Sequence, residues 1–173
     1  MHQRWVSAGL EALRRGGVAG VRIERIAGDL GISKGSFYWH FRDREHLLEE
    51  LLEFWSREMT ELEFERIGKL PPRLGERLLA LAHDVLEKGL GRYDPAIRAW
   101  ARDHRRVAQA VEAVDRRRSR ALAQLFVEGG FPPAEARVRA RLFYTFLLGE
   151  PQVRAPRRDP RDLERMVALL AAH

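Results

Sequence analysis

The sequence predicts an all-α protein. Apolar residues recur at intervals of three and four, which is the spacing of one face of a helix. Glycine and proline residues separate these periodic segments, and no segment shows the strict alternation of apolar and polar residues that is typical of a strand. With 45% hydrophobic residues, the chain has enough apolar side chains to form a core.

The first predicted helix has an apolar face formed by small and large residues, and it ends at Gly16 and Gly17. The residues on that face are Trp5, Ala8, Gly9, Ala12 and Leu13.

A helix-turn-helix motif follows the first helix. Its first helix carries one apolar stripe, which consists of Ile23, Ile26, Ala27 and Leu30. Gly31 tolerates a positive φ and is expected to form the turn, and Ser33 is expected to cap the next helix. On that helix Phe37 and Phe41 are four residues apart and are predicted to face inward.

A long helix is predicted from Asp43, its N-cap, to about Ile67, where Pro71 and Pro72 follow. One broad face of this helix is apolar, and glutamates occupy most of its other positions. The apolar residues are Leu47, Leu48, Leu51, Trp55, Met59 and Leu62.

Five more helices are predicted beyond the two prolines, each bounded by glycine, proline or an Asp-Pro pair. They are expected at about 73–90, 95–103, 105–129, 133–148 and 160–172. The basic run at 116–120 lies within the third of these helices, and we interpret it as a solvated face.

The second helix of the motif carries three consecutive large polar-tipped residues, Tyr38, Trp39 and His40, close to Lys34. A short helix buries only one side, so some of these rings must face solvent. Exposed aromatic residues usually mark contact with a partner, and phosphate is the simplest partner for donors of this kind. For Trp39 the alternative is that the indole packs partly against the first helix of its own domain.

The segment from Arg22 to about Leu52 resembles the DNA-binding domain of the TetR family of bacterial transcriptional regulators. The matching pattern is Ile-Ala, a Gly-Ile-Ser turn, Lys-Gly-Ser-Phe-Tyr-Trp-His-Phe, a charged Arg-Asp-Arg-Glu link, and Leu-Leu at the start of a long helix. The resemblance implies an interface with double-stranded operator DNA that begins at Ser33. It assigns base edges or the groove floor to Lys34, Gly35 and Ser36, and the phosphate backbone to Tyr38, Trp39, His40 and Arg44.

Arg22 departs from the family pattern, in which Thr or Ser is common at this position. An arginine has no side-chain oxygen with which to cap the helix. Its cation is still able to reach a phosphate, so we expect Arg22 to keep a DNA-binding role.

The resemblance implies two domains, a three-helix DNA-binding domain at 1–46 and a helical ligand-binding and dimerisation domain at 47–173. The last two predicted helices carry more apolar surface than one small core requires, which favours a homodimer joined by a four-helix bundle. Two recognition helices about 34–36 Å apart would then read the halves of a palindrome.

The resemblance also implies a repressor that a small-molecule effector releases from its operator. Large apolar residues and two histidines of the middle helices are candidates for an effector cavity, although aromatic residues at helical spacing more often belong to a core. The candidates are Trp55, Met59, His83, Trp100, His104, Phe126 and Phe143.

The net charge, the residue composition and the motifs favour some kinds of partner and exclude some kinds of site. The net charge of +6 favours an anionic partner, and the absence of cysteine excludes disulfides and thiolate metal sites. No segment resembles a signal peptide or a membrane span, so a cytoplasmic location is expected. No metalloprotease, phosphate-loop or nucleophile-elbow motif occurs, and we expect no catalytic site, metal or cofactor. A helical protein–protein adaptor that retains the fold without specific DNA binding stays as the alternative function.

Overall fold

The all-α prediction is confirmed by the computed structural model, which describes residues 1–57, 60–71, 73–153 and 159–172. Every element in this part of the chain is helical. The helices are α1 His2–Gly20, α2 Ile23–Leu30, α3 Gly35–Tyr38, α4 Arg44–Arg57, α5 Glu61–Gly68, α6 Leu74–Leu86, α7 Asp94–Ala101, α8 Arg105–Glu128, α9 Pro133–Gly149 and α10 Pro160–Ala171, with a 3-10 turn at Glu150–Gln152. No helix of the described ranges has both the length and the apolar character that crossing a membrane would require.

The chain forms two compact units. Unit 1 comprises Met1–Met59 and Arg92–Glu112, and unit 2 comprises Thr60–Gly91 and Ala113–His173. Helix α8 contributes its first part to unit 1 and the remainder to unit 2. The predicted boundary at residue 46 separates a DNA-binding domain from a ligand-binding and dimerisation domain. It is a functional boundary, which the division into compact units does not test, and it stays a prediction.

In unit 1, α1 packs against α2, α4 and α7. Gly9 allows the close approach of α4, because a Cβ at this position would lie 3.0 Å from Leu51 Cδ2. The predicted glycine break is present inside α1, where Gly17 has a φ of 60°. Both glycines, Gly16 and Gly17, have non-helical backbone angles, so the first regular helical segment ends there as predicted, and the rest of α1, up to Gly20, is one short turn beyond the kink.

The long helix predicted from Asp43 to Ile67 is wrong. Asp43 caps α4 as predicted, since its Oδ1 accepts a hydrogen bond of 2.8 Å from the His46 N–H. However, the described part of α4 runs to Arg57, and Thr60 is the N-cap of a separate helix, α5, so the predicted continuous helix is interrupted at Thr60. Thr60 is buried, and its hydroxyl accepts a hydrogen bond from Arg118. This contact is made 58 residues away, so the local pattern of apolar residues does not reveal it.

In unit 2, α6 packs against α5, α9 and α10 around an apolar core. The buried Arg77 fastens the end of α5 to this core, donating to the carbonyls of Gly68 and Leu70 and pairing with Glu128 at 2.8 Å. At the other end of the unit, Asp159 caps α10 by accepting from the Arg161 N–H. The predicted starts of α9 and α10 at Pro133 and Pro160 are confirmed.

Candidate nucleic-acid interface

The turn of the helix-turn-helix motif has the predicted conformation. Gly31 has a φ of 66° and a ψ of 32°, in the left-handed region that favours glycine. The Ile32 N–H bonds to the Ala27 carbonyl at 3.0 Å, and the Gly31 N–H bonds to the Gly28 carbonyl at 3.1 Å. This pair of bonds satisfies the last carbonyls of α2 and fixes the direction in which the chain enters α3.

Helix α3 begins one residue later than predicted. Lys34, not Ser33, is the N-cap residue, and no side-chain hydrogen bond caps the helix. Ser33 instead contributes its backbone carbonyl, which accepts from the Ser36 N–H at 3.0 Å. The reason is conformational: Lys34 already has helical φ and ψ, so the first turn closes on Ser33 through the backbone.

The aromatic residues of the second helix divide between core and solvent. Phe37 and Phe41 are buried, as predicted, with their rings stacked at 5.1 Å, and Phe37 also meets the buried Trp5 edge-on. Tyr38 is 55% exposed and Trp39 is 89% exposed. The alternative that Trp39 packs against its own domain is therefore wrong, because the core positions facing α1 are already filled by the two phenylalanines.

Lys34 forms an ion pair with Glu24, which lies in the first turn of α2. Both side chains are exposed to solvent. Their hydrogen bond lowers the pKa of the Glu24 carboxyl and raises the pKa of the Lys34 ammonium. Sequence reasoning missed this pair because the two residues lie on different helices, ten positions apart, where no periodicity relates them.

The two predicted arginine contacts differ in their surroundings. Arg22 is exposed, adopts an extended conformation before α2 and makes no capping bond, as expected; its Nε donates to the Ala19 carbonyl. Arg44 is partly buried, and its guanidinium donates to the carbonyls of Val21 and Val18, the former at 2.8 Å. Arg44 therefore ties the start of α4 to the last turn of α1 and to the residue that follows it.

His40 is half-buried beside a cluster of rings. The His2 ring stacks on Phe41 at 4.9 Å and meets His40 edge-on at 6.0 Å. His46 lies 5.8 Å from Phe41 on another side, and its Nδ1 accepts from the Arg42 N–H. These contacts fix the orientation of the segment that carries Trp39 and His40.

The effector candidates are divided between the two units. In unit 1, Trp55 is fully buried and donates a hydrogen bond of 2.7 Å to the buried Asp94. In unit 2, Phe126 and Phe143 are fully buried core residues. His83 is half-exposed, and its Nδ1 lies 2.8 Å from a carboxylate oxygen of Glu87. Met59 lies outside the described residues.

Trp100 and His104 lie together in unit 1, with their rings 5.9 Å apart. They line an open groove of about 580 Å³ between α1 and α7, together with residues such as Leu13, Arg14 and Asp103. One wall of the groove is α1 and the other is α7, and the role of Trp100 and His104 in effector binding stays a prediction.

Comparison with known proteins supports the assignment of the motif. Residues 6–51 match the family model described as bacterial regulatory proteins, tetR family. The chain is 32% identical over 69 residues to the HTH-type transcriptional regulator AcrR of Shigella flexneri. The match covers 40% of this chain and 32% of AcrR, so it spans about a third of the length of that curated relative.

Two solved structures extend the likeness in fold to nearly the whole chain. The transcriptional regulator FadR of Bacillus subtilis, in complex with stearoyl-CoA, has a TM-score of 0.68 at 15% identity and covers 99% of this chain and 98% of its own. AibR, in complex with isovaleryl coenzyme A and operator DNA, has a TM-score of 0.70 at 17% identity and covers 97% of this chain and 96% of its own. The amino-terminal domain therefore belongs to the TetR family of bacterial regulatory proteins, and the chain as a whole has the fold of that family's transcriptional regulators.

Proposed function

We propose that the protein is a sequence-specific DNA-binding regulator that acts through α2 and α3. The observation that carries this proposal is the exposure of Tyr38 and Trp39 at the end of α3, in a segment whose other side is anchored in the core by Phe37 and Phe41. An indole that is 89% exposed has no role in the core of its own domain. Rings held rigidly at the surface next to Lys34 suit contact with a duplex.

The roles follow from position around the motif. Lys34, Gly35 and Ser36 would enter the major groove, where a lysine donates to guanine O6 and N7. Ser33 directly precedes these three residues, at the start of the segment that would enter the groove. The phosphate backbone would be contacted by Arg22, Tyr38, Trp39 and His40, which position the protein without reading sequence. For Arg44 we propose an indirect role, because its guanidinium already serves two backbone carbonyls.

Dimerisation is supported by the two faces of α9. One face is buried in the core of unit 2 and includes Phe143 and Leu147. The other face exposes Val138 and Leu142, which are 60% and 58% exposed, and α10 exposes Leu169. An apolar stripe of this kind is well suited to a second copy of the chain, and a two-fold pair would present two recognition segments to a palindromic operator.

Release by a small molecule is the second part of the proposal. The fold is shared with regulators whose structures contain coenzyme A thioesters, and in one of them operator DNA as well. We propose that this protein is a repressor that an effector releases from its operator. A melting-temperature screen that includes acyl-CoA thioesters would identify a ligand that prefers the folded protein.

The DNA-binding proposal is tested by selecting duplexes from a randomised library and measuring the affinity of the enriched duplex against a random one over a range of salt concentrations. We expect a palindromic preference and a salt-sensitive affinity, because phosphate contacts release counterions. Equal affinity for both duplexes would contradict the proposal and favour an adaptor.

Variants separate the two classes of contact. Lys34→Ala should relax preference at one base position, at a cost of about 1–3 kcal/mol there. Trp39→Ala should weaken binding to every duplex alike. Lys69→Ala is the matched control, since it removes the same charge from an exposed position in unit 2 and should change neither measurement.

A further inference from the structure

We propose that Glu24 is a specificity-determining residue, which holds the Lys34 ammonium away from phosphate unless a base offers a better acceptor. This inference rests on the proposed DNA-binding function and adds a role that the motif alone does not assign. It is carried by the ion pair between the first turn of α2 and the residue that opens α3.

The geometry connects the two helices of the motif at their exposed ends. Glu24 and Lys34 have side chains that are 68% and 49% exposed, so both are accessible to a large anionic partner. The raised pKa of Lys34 and the lowered pKa of Glu24 agree with a bond that keeps both groups charged. In the free protein the cation expected to read a base is therefore already neutralised by a carboxylate.

This arrangement penalises wrong sequences more than the right one. An ammonium in an ion pair gains little from a passing phosphate, because it must give up its carboxylate partner and leave that anion facing the duplex. At the correct base pair, the guanine acceptors replace the carboxylate as hydrogen-bond partners of the Lys34 ammonium, and this contact compensates for the broken ion pair. Glu24 would thus weaken binding to all DNA while widening the gap between operator and random sequence, a repulsive element that increases specificity.

The test compares Glu24→Gln with the wild type on two duplexes, the one enriched by selection from a randomised library and a random one. Glutamine keeps the size and the acceptor of the side chain but removes its charge. We expect affinity for the random duplex to rise by about two- to fivefold, the range that an exposed ion pair supports. We also expect the logarithmic salt dependence on this duplex to steepen by up to about 0.9, because Lys34 becomes an additional phosphate contact. Affinity for the selected duplex should rise less, so the ratio of the two affinities falls.

Two further variants make the result specific to the pair. Asp29→Asn removes one negative charge from another exposed position of α2, and it should leave the ratio of affinities unchanged. In a Lys34→Met background, Glu24→Gln should raise affinity for both duplexes alike, by removing a charge that DNA repels, and should leave the ratio of the two affinities unchanged, because the group that Glu24 restrains is gone.

The inference is overturned if the two single acidic variants change the ratio of affinities alike, or if Glu24→Gln still lowers that ratio without Lys34. Weaker binding of Glu24→Gln to the selected duplex would also overturn it, since Glu24 would then be a direct contact. A wild-type protein with no preference for any duplex would defeat the proposed function itself. A wild-type preference that Glu24→Gln leaves unchanged would defeat only the role of Glu24.

Discussion

Arg44→Ala should destabilise the protein, although the family resemblance places Arg44 among the phosphate contacts. The guanidinium donates through Nε to the Val21 carbonyl at 2.8 Å and through a terminal nitrogen to the Val18 carbonyl, and its side chain is 34% exposed. Val18 lies in the last turn of α1 and Val21 directly follows that helix, so the arginine braces the base of the helix-turn-helix motif.

The size of the effect follows from these bonds. A hydrogen bond from a charged donor contributes about 1.5–3 kcal/mol when it is buried. The Val18 carbonyl keeps its bond to the Val21 N–H, and the partial exposure of Arg44 reduces both contributions. The exposed pair with Glu45 adds little. We therefore expect a loss of about 2 kcal/mol, which corresponds to a fall of roughly 4–8 °C in the melting temperature of a chain of this size.

The assay is thermal unfolding followed by far-ultraviolet circular dichroism at a fixed protein concentration. Arg42→Ala, which removes an exposed arginine two positions earlier, is the matched control and should leave the melting temperature within about 1 °C of the wild type. Well below its transition, Arg44→Ala should keep the salt dependence of DNA binding. An unchanged melting temperature together with a shallower salt dependence, by about 0.9, would refute the bracing role and return Arg44 to the phosphate backbone.

Three other perturbations test separate parts of the structure. Trp55→Phe removes the N–H that donates to Asp94 at 2.7 Å, and a denaturant titration should show a free energy of unfolding lower by about 2–3 kcal/mol. Asp94→Asn keeps an acceptor at this position and should lower the free energy of unfolding by less. Glu11→Gln should lower the melting temperature near neutral pH but not in acid. The hydrogen bond from Arg14 lowers the pKa of Glu11 from its ordinary value of 4.5 to about 2. The ionised carboxylate therefore stabilises the folded state fully above pH 4.5, and this contribution is lost as the pH falls toward about 2. A difference that persisted at low pH would contradict this assignment. Leu142→Arg should convert a dimer to monomers in sedimentation without unfolding unit 2, because this side chain is 58% exposed; a variant that still sedimented as a dimer would exclude this face from the interface.

Local signals predicted most of the fold, because helix ends depend on nearby residues. Gly31 ends α2 with a left-handed conformation, and Asp43 caps α4 three residues before the N–H it satisfies. Both features were expected from residue type alone. The interruption at Thr60 was not, because the apolar and acidic pattern of the sequence continues past it and the buried Thr60 accepts a hydrogen bond from a side chain 58 residues away.

The sequence predicted which residues form the candidate site, but it did not predict all the groups that those residues contact. The resemblance supplied Lys34 and Trp39, and the structure added that one is ion-paired and the other almost fully exposed. The ion pair does not follow from the neighbouring sequence, because Glu24 reaches Lys34 from another helix. The exposure of Trp39 does depend on its neighbours, since Phe37 and Phe41 take the interior positions. The bracing role of Arg44 was likewise hidden, since its acceptors are backbone atoms of a preceding segment.

The exposure of Trp39 also makes the protein its own optical probe. Of the four tryptophans, Trp5 and Trp55 have no exposed surface and Trp100 is partly covered, whereas Trp39 is 89% exposed. Trp39 should therefore account for most of the emission that soluble quenchers such as acrylamide remove. A duplex that covers this indole would shield it from the quencher, so fluorescence alone would report occupancy of the recognition helix without a label on either molecule.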